Sequence, residues 1–502
     1  MKKYILAIDQ GTSSTKTILF DELGLAVSKG SVDLKTTYFD NGFVEQNPED
    51  IYQNVLDSVR LCLNNFTNQG LQLTDIVSCG ISNQRETFVL WDKNGKALAP
   101  AVVWACKRSI SICTDLIEKG QNDLIKQKTG LLLDPYFSGT KLLWLIQNDA
   151  ELKTRIENGE VYFGTVDCWL LYKLSNGTHF KTDYTNASRT LLFNIHTLKW
   201  DAEILEKWEL NNLNLPQVCP SSHDFGEMDL NQIFNNNPNI AIPITSLIGD
   251  SHAASFGEGC FEKGTAKVTM GTGSSIMMNI GDEAVLSNFG MLTTICWSTE
   301  DRIDYALEGA IVSCGSTIEW LKNELQLFAN PAETASMAME INDNSGVYLI
   351  PAFSGLGAPH WQMTRKASIE GMTFGTTKNH IVRAALESIP YQIKDVIEAM
   401  TKDMKAPLKS ISINGGMTQN KFVIHFLADL LGIQLNKQIN SDVSALGAAY
   451  LSGLKSGVYK NIEQLATLVK SQTEQVLANP NNELPVNGYL GWKQKISQYQ
   501  IK

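Results

Sequence analysis

The sequence predicts an α/β protein built from two domains that are related by internal duplication and face one another across a cleft. Three observations carry this. The stretch Leu6-Ala-Ile-Asp-Gln-Gly-Thr-Ser-Ser-Thr-Lys16 runs from an apolar strand through a carboxylate, Asp9, and a Gly/Ser/Thr turn into a second apolar run, Thr17-Ile-Leu-Phe20. In the second half, Ala266-Lys-Val-Thr-Met-Gly-Thr-Gly-Ser-Ser-Ile-Met-Met278 has the same strand–turn–strand character. The chain has 502 residues, too many for a single core, so two large domains are the default. A composition shift near residue 245 divides it into 1–246 and 247–502.

A strand hairpin whose turn is Gly11-Thr-Ser-Ser14 gathers backbone N–H groups and hydroxyls at one point, which suits phosphate. Asp9 at the strand end is placed to hold a hydrated magnesium ion beside it. No helix follows and the glycine spacing is wrong for a G-x-x-x-x-G-K-[ST] loop. Alone, the stretch reads equally well as a surface hairpin. The second hairpin decides for phosphate, because it offers a matching turn to the same cleft.

Hairpin strands continue to about residue 46. Asn47 as N-cap and Pro48 at the first helical position then start a helix over 49–65, with Ile51, Val55, Val59 and Cys62 on its buried face. Residues 76–81 form a buried strand ending in the polar burst Ser82-Asn-Gln-Arg-Glu-Thr87, and Phe88–Trp91 is the next strand. Asp92-Lys-Asn-Gly95 is a hairpin turn, Val102–Trp104 a short strand, and Ala105–Ser109 opens a helix. Further helices start at Tyr136–Lys141 and run over Cys168–Leu174. Thr182–Arg189 reads as a polar loop before a strand Thr190–Phe193, and Asn231–Asn239 as an exposed loop. Ile248-Gly-Asp-Ser-His-Ala-Ala254 ends a strand on a carboxylate and starts a helix. Ile411-Ser-Ile-Asn-Gly-Gly-Met-Thr-Gln-Asn420 passes from strand to helix through bare backbone where a flat ring could approach, and Ser444-Ala-Leu-Gly-Ala-Ala-Tyr450 is a small-residue helix built for close packing.

Composition limits the partners. Hydrophobic residues at 43% and charged residues at 19% describe an ordinary globular chain. A net charge of −11 without a basic patch argues against nucleic acid or anionic membrane as the main partner. The nine cysteines form no C-x-x-C pair, no metal-ligand spacing and no disulfide framework, and they read as buried thiols in a reducing cytoplasm. No apolar run is long enough to span a membrane, and the N-terminal apolar run is too short for a signal peptide.

The chain resembles the FGGY family of carbohydrate kinases, within the actin-like (ribonuclease H-like) ATPases. Two signatures carry the resemblance: Tyr136-Phe-Ser-Gly-Thr-Lys-Leu-Leu-Trp144, and Ala367-Ser-Ile-Glu-Gly371 through His380-Ile-Val-Arg-Ala-Ala-Leu-Glu387. Within the family the blocks Ser82–Thr87, Asp134–Thr140, Thr182–Arg189, Leu192–Thr197, Val347–Phe353 and Gly355–Pro359 are most similar to glycerol kinases. The resemblance implies ATP- and Mg²⁺-dependent phosphorylation of glycerol to sn-glycerol 3-phosphate, in a homodimer or homotetramer. It assigns Asp250 as general base and Asp9 as the magnesium organiser. Gly11, Thr12, Ser13, Ser14, Lys16, Thr272, Gly315, Glu319, Gly416 and Asn420 fall at nucleotide-side positions, and Arg85, Glu86, Trp104, Tyr136, Asp250, Ser251 and Ser275 at acceptor positions. Neighbouring Arg85 and Glu86 can donate to and accept from vicinal hydroxyls, Tyr136 can donate its hydroxyl, and Trp104 supplies an apolar wall.

The sequence departs from the glycerol kinase pattern at several of these positions. Lys16 stands where Arg is usual and loses the bidentate fork. Glu319 stands where Gln is common. Ser275 replaces the usual Phe two residues after Gly-Thr-Gly, and Ser251 replaces a Gln. Losing the aromatic wall removes about 1–3 kcal/mol of selective packing against a three-carbon polyol, so a four- or five-carbon polyol or ketose is the alternative acceptor. His252 reads as a core histidine, with contact to such a longer acceptor as the other reading. The Gly-Gly-x-Arg loop with which some bacterial relatives bind fructose 1,6-bisphosphate is absent, and that regulation is not expected.

Overall fold

A computed structural model describes residues 2–234, 240–362 and 364–498. Six strands form the first sheet: β1 (Tyr4–Gln10), β2 (Ser14–Asp21), β3 (Ala26–Asp33), β4 (Ile76–Asn83), β5 (Ser222–Asp229) and β6 (Ala241–Gly249), in the order β5-β6-β4-β1-β2-β3. Seven form the second: β7 (Thr265–Met270), β8 (Ser274–Gly281), β9 (Leu292–Ser298), β10 (Ile303–Ile311), β11 (Ser410–Asn414), β12 (Leu435–Gln438) and β13 (Thr473–Val476), in the order β9-β10-β8-β7-β11-β12-β13. Without the edge strands β5, β9 and β13, the two sheets share one plan. Each has three antiparallel strands (β1, β2, β3 and β7, β8, β10), and its first strand pairs parallel with a fourth, which pairs parallel with a fifth (β4, β6 and β11, β12). This is the duplication expected from the two hairpins, in the arrangement of two actin-like domains. The expected boundary between residues 246 and 247 falls inside β6, which stays in the first sheet to Gly249.

The helices that position the site are α1 (Pro48–Thr67), α2 (Ser138–Asn148), α3 (Tyr184–Ala187), α4 (Asp250–Gly257), α5 (Gly315–Asn323), α6 (Lys421–Leu431) and α7 (Val443–Lys455). Asn47 caps α1 by accepting from the Glu49 N–H, and Pro48 fills a position whose N–H has no intrahelical partner. Ile51, Val55, Val59 and Cys62 are buried, as the spacing predicts.

Helices α4 and α7 cross between the two sheets. Their apolar residues join Ile5, Ala7, Ile18 and Phe20 of the first sheet and Met277, Cys296, Trp297 and Ala306 of the second in one core. Small residues make the crossing possible. A Cβ on Gly447 would lie 1.8 Å from the Ala253 carbonyl oxygen, and one on Gly257 would lie 2.4 Å from that of Val443. A Cβ on Gly80 of β4 would lie 2.3 Å from the Ala448 carbonyl oxygen, so α7 lies directly on the first sheet. Gly447→Ala is expected to destabilise the protein by about 1–3 kcal/mol, because the atom it meets is backbone and cannot rotate away. A lowered thermal midpoint is the readout, and an unchanged midpoint would contradict this packing.

Several expectations are corrected. The polar stretch 182–189 is ordered structure, not loop: Lys181–Asp183 is a strand and Tyr184–Ala187 is α3. Asp183 accepts from the N–H groups of Thr185 and Asn186, so this stretch spends its polarity on a buried cap. The strand expected over 190–193 shrinks to Phe193–Asn194, because Arg189 and Thr190 still bond back to the turn. The strand expected over 102–104 ends at Val102, and the helix expected from 105 begins at Ile110. Of the loop expected over 231–239, residues 235–239 lie outside the described residues, and Asn231 and Gln232 belong to a 3₁₀ turn, Leu230–Gln232. All nine cysteines are free and buried. Among the described residues no helix is long and apolar enough to cross a membrane.

One buried carboxyl makes stability depend on pH. Asp167 accepts from the hydroxyls of Thr165 and Thr182, each at 2.6 Å. Burial, and then Asp183 nearby, push its pKa up to about 7 from 3.8. The folded state therefore favours the protonated form. That stabilisation is complete below about pH 4 and is lost as pH rises through about 7. The Asp167 contribution should show as a difference: between pH 5 and 8 the thermal midpoint of Asp167→Asn should rise relative to that of the wild type as pH rises. An unchanged difference across that range would contradict the assignment.

Candidate active site

A cavity of about 440 Å³ opens between the two sheets. Its walls include Arg85, Glu86, Trp104, Tyr136, Asp250, Ser251 and Ser275, so every acceptor-side residue named from the sequence reaches it. Thr12 from the first hairpin joins them.

Each wall has a local cause. Arg85 and Glu86 follow β4, where the chain leaves the sheet, and Glu86 takes a left-handed φ of 60°. For a residue other than glycine that conformation is costly, and it is tolerated where the surroundings fix it. Here Ser138 Oγ donates to the Glu86 carbonyl oxygen at 2.7 Å from the start of α2. Trp104 donates from Nε1 to Thr12 Oγ1 at 2.9 Å, and its ring meets Tyr136 edge-on at 5.7 Å between centroids. Buried Lys141 ties these two aromatic walls together, donating to the carbonyl oxygens of Tyr136 (2.7 Å) and Trp104 (3.3 Å). Burial brings its pKa down to about 7. Burial also raises the Tyr136 pKa, so its hydroxyl stays a donor.

The polar wall is a chain of buried charges. Arg85 donates from Nε to Asp250 (3.1 Å) and from Nη1 to Glu308 (2.7 Å). Arg189 donates from Nε to Glu86 (2.6 Å), and its Nη1 lies 2.6 Å from the second oxygen of Glu308 as an ion pair. Burial works against charge on Glu308, but Arg189 and then Arg85 outweigh it and hold the carboxyl well below the usual range. The chain Glu86–Arg189–Glu308–Arg85–Asp250 thus fixes both members of the Arg85–Glu86 pair. Asp250 is its one open end, with a side chain 39% exposed to the cavity.

Thr12 of the first turn lines this cavity, and Thr269 and Ser275 line it on either side of the second turn. Gly11 N–H donates to the Ser14 carbonyl oxygen, closing the first turn. The Thr12 carbonyl oxygen is held from outside by Thr36 Oγ1 and Gln46 Nε2, and that of Ser13 accepts from the Leu34 N–H. Asp9 accepts from Ser82 Oγ at 2.9 Å. Burial, and then the facing carboxylate of Asp250, raise its pKa to about 6. A cation held through water at Asp9 would relieve that repulsion. Among the described residues no group of three or more His, Cys, Asp or Glu side chains could hold a metal ion. Lys16 is paired with Asp442 at 3.0 Å, beside Lys29 at 2.6 Å on the other oxygen, so it links the first hairpin to the start of α7.

In the second domain, the Gly315 N–H donates to the Gly271 carbonyl oxygen and the Ser316 N–H to that of Thr272, docking the start of α5 on the second turn. Gly415, at φ 94°, carries the chain past Met270, and no atom lies within 4 Å of where a Cβ on Gly416 would stand. Thr272 and Gly416 are exposed, Gly315 is half-buried against the Gly271 carbonyl oxygen and near Met417, and Glu319 is exposed one turn further along α5. Asn420 is occupied: it caps α6 by accepting from the Val423 N–H, and it donates to Thr334 Oγ1.

Family models decide the kinship. The N-terminal domain model of the FGGY family of carbohydrate kinases matches residues 4–257, and the C-terminal domain model matches residues 266–455. The chain belongs to the FGGY family. The two matches leave residues 258–265 between them. Among similar proteins, glycerol kinase 2 of Thermotoga maritima is 43% identical over 99% of this chain and 98% of its own length. The glycerol kinase of Halothermothrix orenii is likewise 43% identical, over 99% and 98%. The crystal structure of Plasmodium falciparum glycerol kinase with ADP superposes with a TM-score of 0.93 at 34% identity, over 100% of this chain and 99% of that one. A gluconate kinase from Lactobacillus acidophilus superposes at 0.85 with 20% identity, which shows the shared FGGY fold alone.

Seen within this FGGY frame, His252 is the core histidine the sequence favoured. It is fully buried on α4 with Nε2 3.4 Å from Thr294 Oγ1, and burial together with Arg85 and Arg189 drives its pKa well down, so the ring is neutral. Arg189, Glu308, Lys141 and Lys267 were missed. Glu308 and Lys267 stand as single charges in apolar runs, Lys141 in a helix start and Arg189 at the end of a polar stretch, but which strand or helix faces each is a tertiary fact.

Proposed function

We propose that the protein phosphorylates glycerol with ATP, giving sn-glycerol 3-phosphate. The observation that carries this is the convergence of Arg85, Glu86, Trp104, Tyr136 and Asp250 on one interdomain cavity, in a chain 43% identical over nearly its whole length to glycerol kinases. Most acceptor contacts and the first phosphate turn belong to the first domain, and the nucleoside side belongs to the second. Arg85 Nη2 and one oxygen of Glu86 are left for the acceptor hydroxyls, while Trp104 shields its carbon chain. Asp250 accepts the proton of the attacking hydroxyl. Its bond from Arg85 aims the carboxylate into the cavity.

Gly11, Thr12, Ser13, Ser14 and Thr272 would cradle the ATP phosphates, and Gly315 and Gly416 would face the nucleoside. Asp9 would hold Mg²⁺ through water, and the ion supplies neutralisation of phosphate charge when bound. Lys16, paired to Asp442, serves the cradle by fixing the hairpin. Rocking about the α4–α7 crossing would close the cleft and exclude water from the transferring phosphoryl group. The buried free thiols and the absence of a spanning helix among the described residues support a cytoplasmic location. A substrate panel tests the reading: kcat/KM for glycerol should exceed that for xylulose and gluconate by at least about 100-fold. A larger value for either competitor would overturn it.

A further inference from the structure

Lys267 has no part in the scheme above, yet its side chain reaches the acceptor cavity. It lies in β7 and is 1% exposed. Its ammonium donates to Ser251 Oγ at 2.6 Å, Thr269 Oγ1 at 3.1 Å and Ser275 Oγ at 3.3 Å, and Ser251 Oγ lies 3.1 Å from Ser275 Oγ. Among the described residues no carboxylate lies within ion-pair distance of it, although Glu258, Glu308 and Asp250 are near enough to favour its charge. The two serines are the same two positions at which the sequence departs from the glycerol kinase pattern of Gln and Phe.

We propose that Lys267, Ser251 and Ser275 form a subsite for an oxygen of an acceptor longer than glycerol, of the class of four-carbon polyols and ketoses, which the protein also phosphorylates. The inference rests on the reading of this cavity as the acceptor site. Hydrogen counting supports it. A lysine ammonium has three donors, and all three are spent on hydroxyl oxygens. One serine O–H satisfies the other serine. The remaining O–H is left to donate into the cavity, polarised by the ammonium behind it. Such a donor selects an acceptor oxygen: a hydroxyl or a carbonyl. A phenylalanine at 275 would cover this group with an aromatic wall, whereas serine leaves it open beside Asp250. Burial works against the charge on Lys267, and the three hydroxyl oxygens around the ammonium are what it bonds in place of water, which keeps both serines in position.

The test measures kcat/KM for glycerol, erythritol and erythrulose on the full-length enzyme and on Ser275→Phe, Ser251→Ala and Lys267→Met. At least one four-carbon compound should come within about 100-fold of glycerol on the wild type. The ratio of four-carbon to glycerol kcat/KM should fall by about 10-fold or more in Ser275→Phe, and also in Lys267→Met and Ser251→Ala, which report if the bulkier variant fails to fold. Turnover of glycerol without any four-carbon turnover would overturn the subsite alone, as would ratios unchanged in the folded variants. Four-carbon turnover without glycerol turnover would support the subsite and overturn glycerol as the substrate. Failure on all three compounds would overturn both.

Discussion

Asp250→Asn is expected to lower kcat by about 10²–10⁴-fold while leaving nucleotide affinity nearly unchanged. The amide occupies the same space and can still accept from Arg85 Nε, so the cavity keeps its shape. What it cannot do is take the proton of the attacking hydroxyl. Thr272, Gly315 and Gly416, proposed to face the nucleotide, sit in the second domain, whereas the Asp250 side chain accepts from Arg85 and from the Ser251 N–H. Single-turnover kinetics with ATP, paired with calorimetric ADP binding, separate the two quantities. Turnover within a few-fold of wild type would remove Asp250 as the base.

Arg189→Leu is expected to cost both stability and acceptor binding, although Arg189 does not line the cavity. Its guanidinium is fully buried against Glu86 and Glu308, and removing it leaves two carboxylates in the interior without their shared partner. Breaking a buried pair in this way costs about 3–5 kcal/mol, which corresponds to a fall of roughly 10 °C in the thermal midpoint of a domain of this size. Glu86 would also lose the bond that orients it toward the acceptor, so KM for glycerol should rise. Arg189→Lys keeps the charge but cannot reach both carboxylates with a fork, and should restore stability more than KM. A wild-type midpoint in Arg189→Leu would contradict the network.

The architecture was legible because its signals are local. Asp9 to Lys16 and Gly271 to Ser275 show apolar runs broken by short Gly/Ser/Thr turns, and the two sheets repeat the same strand order around them. Asn47 and Pro48 mark a helix start for reasons contained in four residues. Which side chains would meet in the cavity was legible through the resemblance: Arg85, Glu86, Trp104, Tyr136 and Asp250 all reach it. The support behind them was not. Glu308 reads as one acid in an apolar strand until β10 is seen beside Arg85 and Arg189. Lys267 reads as one base in an apolar strand until Ser251 of α4 is placed over it. Lys16 falls at a nucleotide-side position in the sequence, and only the return of the chain at Asp442 shows its partner. Thr182–Arg189 misled for a related reason: residues that suit a loop in water also suit a buried cap when backbone N–H groups need acceptors.

The most direct test is to incubate the protein with MgATP and glycerol and to follow ADP and the phosphorylated product together by ³¹P NMR. The account predicts one sn-glycerol 3-phosphate for each ADP, with little ATP hydrolysis when no acceptor is present. ADP released without a phosphorylated acceptor would contradict it.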